Sequence, residues 1–405
     1  HRPHPKGHSM QNGVFQTGNP RWSAVFSLFM GVMALIAAEF IPVSLLTPIA
    51  RDLAVSEGMA GQTVTAVGVL AVLTSLLLAP LTGNTDRRRI LLAFSAMLVA
   101  SYMLIGMAPT YSIMLIGRAI LGICVGGFWS LASAVTLQLV PTKDVPRALS
   151  IVYAGVSVAT IIALPVASWI GHLIGWRNVF FLGALMAAFG FVWQYRALPS
   201  LPARTGSGFR DMSALLRRTW ILAGIGGNIL SFGGYHIFFT YLRPFLELDL
   251  ALGANTLSVI LLVFGVANVL GTFIAGALLG NHFRSTMILV HLAFTAAALA
   301  LLLSQGHADI GIALAVFWGF AFGFTPVGWS TWIARTLSDK AELAGGLTVA
   351  ATQFAIGLAA AVGGFTYDNL GINGIFLAAA GISVMAALLI AVSFSLFARD
   401  TGHKA

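Results

Sequence analysis

The chain has 405 residues, of which 58% are hydrophobic and only 9% charged. A soluble protein would carry about 25% charged residues, so this composition excludes a soluble catalytic domain and points to a polytopic membrane protein. The net charge of +9, which in a soluble chain would suggest nucleic acid, reads here as a topology signal and an attraction to anionic lipid.

Residues 1–10, HRPHPKGHSM, read as tag-like residues ahead of Met10. Splitting the rest at its charged clusters predicts twelve apolar spans: 22–50, 60–82, 90–108, 111–139, 148–171, 178–197, 219–243, 256–280, 286–304, 309–334, 345–367 and 372–397. The first is too long for a signal peptide and continues into the fold. With the N-terminus inside, 18 of the 22 Lys and Arg fall on one side, Lys143, Arg204 and Lys340 among them. The positive-inside rule then makes both termini cytoplasmic. Cys124 is the only cysteine and lies in an apolar span, so neither an internal disulfide nor a thiol metal site is expected.

The first span poses the sharpest question. Between Arg21 and Arg51 the only charge is Glu39, in AAEFIPVSLLTP. A charge at such depth costs at least about 3 kcal/mol. The other acids fall in loops or at span ends: Asp52, Glu57, Glu247, Asp249, Asp309 and Asp368 outside, and Asp86, Asp144, Asp211, Asp339, Glu342 and Asp400 inside. If the protein couples to protons through a carboxylate, Glu39 is nearly the only candidate.

In the fourth span, Arg118 is the matching cation. It lies roughly 10 Å of helix from the outer end of its span, and Glu39 roughly 18 Å from the same face. Two readings stand at this point: a pair that gains and loses a proton, or a static ion pair that locks the fold. His236, in the seventh span, is either a proton relay or substrate contact, or a structural histidine. His291 reads as a packed histidine and Arg243 as an interfacial anchor.

Substrate contacts are expected from aromatic and amide groups at span depth: Trp129, Asn228, Tyr235, Tyr241, Asn268, Trp329 and Gln353. Flat rings stack on a base and amides read its edge. Trp318 and Trp332, with Thr325 and Thr331, lie on the tenth span, and Tyr153 on the fifth. The spacings Gly122-x-x-x-Gly126 and Gly319-x-x-x-Gly323 predict close helix packing. No nucleophile–base constellation or metal spacing stands out, so no enzyme and no cofactor is expected.

The Pro-, Gly- and Ser-rich stretch LPSLPARTGSG falls in a predicted cytoplasmic linker, 198–218, between bundles 22–197 and 219–397, with tails at 1–21 and 398–405. A shift of 197 residues superposes Asp52-Leu53-Ala54 on Asp249-Leu250-Ala251, Gly68-Val69 on Gly265-Val266, and Gly122 and Gly126 on Gly319 and Gly323. With one residue of slip, Gly175 and Phe180 fall on Gly371 and Phe376. The same shift puts Glu39 on His236. The expected fold is thus an all-α integral membrane protein of two pseudo-symmetric six-helix bundles, with a site between them at mid-membrane.

Arg118 to Gly122 resembles the fourth-span motif of the major facilitator superfamily, in its twelve-span drug/proton antiporter branch. The phrases Arg21-Trp22-Ser23-Ala24-Val25-Phe26-Ser27, Glu39 to Pro48, Gly126-Gly127-Phe128-Trp129, Ile174 to Phe180 and Pro326 to Trp332 are similar to bacterial exporters of purine ribonucleosides within that branch. The resemblance implies a bacterial inner-membrane monomer that exports inosine- and guanosine-like nucleosides and purine analogues in exchange for protons. Glu39, Arg118 and His236 would serve coupling, and Asp86, Arg87 and Arg88 gating. Sugar or multidrug export by the same branch, or a non-transporting receptor or scaffold, are the alternatives. Two departures stand out. Pro80-Leu81-Thr82 is followed by Gly83-Asn84, with the acid delayed to Asp86. In the fifth-span antiporter motif Gly155 and Pro165 fit, but Leu164, Ser168 and Trp169 replace its glycines.

Overall fold

The computed structural model describes residues 20–141, 144–202, 209–304, 307–337 and 341–402. The tag-like residues, Lys143, Arg204, Asp339, Lys340 and linker positions 203–208 lie outside them. Every regular element described is helical, as lipid demands of segments that must satisfy their own backbone polar groups. The first half comprises α1 (Trp22–Ser44), α2 (Leu46–Asp52), α3 (Glu57–Thr82), α4 (Arg87–Met107), α5 (Tyr111–Leu139), α6 (Val145–Ile174) and α7 (Trp176–Ala197). A short helix absent from the sequence expectation, α8 (Phe209–Leu216), occupies part of the linker. The second half holds α9 (Thr219–Phe239), α10 (Leu242–Pro244) with a π turn at Phe245–Asp249, α11 (Ala254–Asn281), α12 (Phe283–Leu303), α13 (Ala308–Phe322), α14 (Phe324–Thr336) and α15 (Ala341–Thr401). In α15 the chain turns at Gly371, with φ 65° and ψ −162°, so its two limbs correspond to the eleventh and twelfth predicted spans.

The predicted first span is not one helix. It breaks at Leu45 between α1 and α2, because Pro42 and Pro48 have no N–H to give the carbonyls four residues back, Ala38 and Ser44. Both freed carbonyls are filled by arginine: Arg118 Nη1 donates to Ala38 O at 2.7 Å, and Arg243 Nη1 donates to Ser44 O. The tenth span likewise breaks at Gly323.

The internal repeat is written into the backbone. Among the described residues, Ala54 (φ 52°) and Ala251 (φ 55°) are the non-glycine residues with positive φ, and they are 197 positions apart. Left-handed backbone is costly for alanine, so its recurrence at this offset reflects a shared turn. Gly175 and Gly371 also share positive φ. Helix packing repeats in the same way. A Cβ on Gly122 or Gly126 would strike the backbone of Val67 or Ala71, and one on Gly319 or Gly323 would strike Phe264 or Asn268, each exactly one repeat on.

In the first half α1 packs on α6 and α7, and α5 on α3 and α4. In the second, α9 packs on α15 and α11 on α13. The halves meet where α3 lies along α15 and α6 along α11. One end of the bundle carries Arg21, whose N–H donates to Leu139 O at 3.0 Å, and Arg87, whose N–H donates to Leu201 O at 2.8 Å. This is the termini end; the opposite one carries Asp52 and Asp368.

Candidate functional site

Glu39 is buried in α1, with 7% of its surface exposed. Arg118 is fully buried and clamps three helices of the first half: beside its bond to Ala38 O, its Nε donates to Thr63 O at 3.2 Å, joining α5 to α1 and α3. The remaining nitrogen, Nη2, has no partner. Among the described residues the ion pairs within 4.0 Å are Arg177–Asp52 and Arg243–Glu247. Glu39 and Arg118 are therefore neighbours without direct contact, the cation anchored one residue from the acid.

His236 is buried on α9, its Nδ1 2.9 Å from Phe232 O. It is boxed by aromatic rings, with centroids at 4.8 Å for Tyr235, 5.6 Å for Phe322 and 5.8 Å for Phe239. Phe239 in turn meets Phe40, the residue after Glu39, across the two halves at 5.4 Å. The repeat-related positions 39 and 236 thus flank one aromatic seam between α1 and α9.

The predicted substrate residues divide into groups. Asn228, Trp329 and Gln353 are buried in the second half, on α9, α14 and α15. Thr352 Oγ1 donates to Asn228 Oδ1 at 3.1 Å, and a Cβ on Gly227, beside Asn228, would lie 3.1 Å from the Trp329 ring. Each has an unpartnered polar atom: Asn228 Nδ2, Trp329 Nε1 and Gln353 Oε1. Tyr235 lies with His236, its ring flat on Phe322 at 3.5 Å and 9°. Trp129 is apart from these, in the first half, stacked on Tyr153 at 5.4 Å. Asn268 is spent on structure, Nδ2 donating to Gly319 O at 3.1 Å and tying α11 to α13. Tyr241 is fully buried toward the Asp52 end, stacked on Tyr367 at 4.8 Å with its hydroxyl against Gly61 of the other half. Trp332 packs between Trp220 and Trp329.

Asp86, Arg87 and Arg88 bond within the first half and to the start of the linker at the termini end. Asp86 accepts from the N–H groups of Arg88 (2.9 Å) and Leu201 (2.8 Å) and from Ser200 Oγ (2.6 Å). Burial opposes its ionisation, but those bonds hold its carboxyl below the usual carboxylate range. Arg87 donates to Thr82 Oγ1 and Arg88 to Tyr195 O.

A second constellation escaped the sequence reading. At the Asp52 end the second half caps two helices of the first. Asp368 accepts from Gly58 N–H at 3.1 Å and from Ser56 Oγ at 2.8 Å, while Ser56 Oγ accepts from Met59 N–H at 3.0 Å. An anion from one half thus completes the N-terminal cap of α3 in the other. Arg243 does the converse at the end of α1. Only 6% exposed, it bonds Ser44 O and, at 3.2 Å, Ser168 Oγ, with Glu247 at 2.8 Å. The expected interfacial anchor is instead a cross-bundle tie, because the bend after Phe239 turns the end of the seventh span inward. Gln62 Nε2 adds a bond to Ala361 O at 3.1 Å. Gly68 and Gly357 let α3 and α15 touch backbone to backbone: a Cβ on Gly68 would lie 2.6 Å from Gly357 Cα.

A cleft of about 550 Å³ at this end is lined by Pro48, Arg51, Asp52, Trp176 and Arg177 among others. It contains none of the predicted substrate residues and lies away from Glu39.

The profile of the Major Facilitator Superfamily matches residues 27–248 and 224–405. The chain is 40% identical over 372 residues to the purine ribonucleoside efflux pump NepI of Salmonella typhimurium (strain LT2), covering 92% of this chain and 94% of that protein. The pump of the same name from Escherichia coli (strain K12) is 40% identical over 371 residues, with the same coverage. The crystal structure of the nucleoside transporter NupG superposes with a TM-score of 0.75 at 16% identity, over 93% of this chain and 100% of that one. A D-xylose-proton symporter superposes at 0.73 and 16%, over 91% and 95%. The two structures establish the fold alone. With paired six-span halves, a profile match along nearly the whole length and relatives at this identity, the chain belongs to the Major Facilitator Superfamily.

Proposed function

We propose that this transporter exports purine ribonucleosides of the inosine and guanosine kind, and purine analogues, by exchange for protons across a bacterial inner membrane, with both termini cytoplasmic. The observation that carries the substrate class is the 40% identity over 92% of the chain to pumps named for purine ribonucleoside efflux. Support for proton coupling is Glu39, the one acid at depth, held beside a guanidinium that does not neutralise it by contact.

In this reading the bundles 22–197 and 219–397 rock about α3–α15 and α6–α11, with the linker 198–218 spanning them. With the termini cytoplasmic, the caps from Asp368 and Arg243 lie at the outer end and hold the two halves together there. Protonation of Glu39 from outside lets the emptied carrier turn inward, and proton release inside accompanies nucleoside loading. Asn228, Trp329 and Gln353 meet the base or ribose, Trp129 offers a stacking face, Tyr235 bounds the site through the aromatic seam it shares with His236, and Asp86, Arg87 and Arg88 steady the inner end of the first half.

The test is radiolabelled inosine flux in proteoliposomes under an imposed pH gradient. Gradient-dependent movement of inosine, competed by guanosine and not by sugars, is the expected result. Flux of a sugar or cationic drug in place of nucleosides would move the protein to the alternative substrate class, and no flux of any solute would favour a receptor or scaffold.

A further inference from the structure

The two halves repeat one architecture, and that repeat supplies an internal control. Of the nine buried side-chain polar atoms without a partner among the described residues, four lie on α9, α14 and α15: Asn228 Nδ2, Thr325 Oγ1, Trp329 Nε1 and Gln353 Oε1. One repeat earlier stand Gly31, Phe128, Ala132 and Val156, all apolar, and Gly155 matches Thr352. The packing matches as well. Where Thr352 meets Asn228 of α9, Gly155 lies against Phe29 and Val32 of α1, a Cβ there falling 2.8 Å from Phe29 O. The equivalent helix pair of the first half thus packs without a polar side chain of its own at these positions, the space beside Gly31 being filled by the Gln194 amide of α7.

Thr352 is also atypical in how it spends its proton. On α14 and α15, Thr331, Thr336 and Thr348 each bond the carbonyl four residues back at 2.6–2.7 Å. Thr352 instead donates across to Asn228 Oδ1. That engages one lone pair of the amide oxygen and leaves its NH2 unpartnered in a side chain only 1% exposed. A buried donor left unmade costs about 1–3 kcal/mol, a penalty that a ligand with an acceptor in that place relieves.

We infer that Thr352 is a positioning residue for specificity: it fixes the Asn228 amide with its NH2 as the unpartnered group, so that the site selects purine nucleosides presenting a 6-oxo acceptor over those presenting a 6-amino donor. The inference rests on the nucleoside reading above. Loss of the threonine hydroxyl frees the amide to rotate and offer oxygen to the 6-amino group. A site built to hydrogen-bond one group rejects the analogue that leaves it unpaired.

The experiment is counterflow of inosine and adenosine in proteoliposomes by wild type, Thr352→Val, Thr352→Ser and Asn228→Leu. The wild type is expected to prefer inosine in KM. Thr352→Val should narrow the inosine-to-adenosine ratio at least fivefold, mainly in KM, and Thr352→Ser should restore it. Asn228→Leu should match Thr352→Val, and it decides the matter if the valine variant does not fold. An unchanged ratio in Thr352→Val, a serine variant as impaired as valine, or a wild type without inosine preference each overturns the inference while leaving nucleoside export standing. A wild type that moves neither nucleoside overturns the proposed function, and the inference with it.

Discussion

Removing the caps at the Asp52 end should open it, by amounts the geometry sets. Asp368 completes the cap of α3 from the opposite half. Loss of such a cap costs about 1 kcal/mol, and only the state with the ends together loses it. Asp368→Ala should thus shift the equilibrium about fivefold toward opening at that end. Arg243 is more buried and bonds Ser44 O and Ser168 Oγ, so Arg243→Met should cost ~2 kcal/mol, or ~30-fold. Pro48→Ala should act in the same direction without touching Arg243, since alanine returns an N–H that competes for Ser44 O. Spin labels at exposed Ser112 and Asn255 report the separation of the halves at this end, and Cys124, buried in α5, does not compete for label. Pulsed dipolar distance distributions should gain a long component in the order Asp368→Ala, then Arg243→Met. Distributions indistinguishable from wild type in both variants would refute the capping account.

Two further outcomes follow from the same end of the molecule and its helix contacts. Gly68→Ala should part α3 from α15 and raise the long-distance population more than Gly357→Ala, because the Cβ of the former meets backbone at 2.6 Å and that of the latter at 3.1 Å; equal effects would contradict this. Hydrogen bonds from Arg177 and Trp176 hold the Asp52 carboxyl below the usual carboxylate range. Folding there favours the ionised form, so the stability it contributes is present above the ordinary carboxylate pKa and lost as pH falls through the lower folded value. Melting temperatures in detergent between pH 7 and 3 should fall further for wild type than for Asp52→Asn, and parallel declines would count against that linkage.

Much of the fold was legible because the repeat is carried by short phrases that reappear as geometry. Asp52-Leu53-Ala54 and Asp249-Leu250-Ala251 both end in left-handed alanine, and the glycine pairs at 122/126 and 319/323 contact equivalent positions. Glu39 stood out through cost alone, and Arg118 through matching depth. What depth could not show was direction. Asp368 counted as one more outer-loop acid, and its partners lie more than 300 positions away in sequence. Arg243 looked like an anchor because an apolar run does not announce where its end turns inward. Tyr241 shared composition with the aromatic residues of the second half but lies with Tyr367 and Gly61. The prolines were visible; that each frees a carbonyl for an arginine from another helix was not.

The central claim is that Glu39 carries the proton. Inosine flux and internal pH should be recorded together in proteoliposomes, for wild type and Glu39→Gln, with and without an imposed pH gradient. The account predicts that the glutamine variant keeps inosine counterflow but loses both acceleration by the gradient and inosine-dependent proton movement. Gradient-driven inosine flux with wild-type proton movement in Glu39→Gln would contradict it.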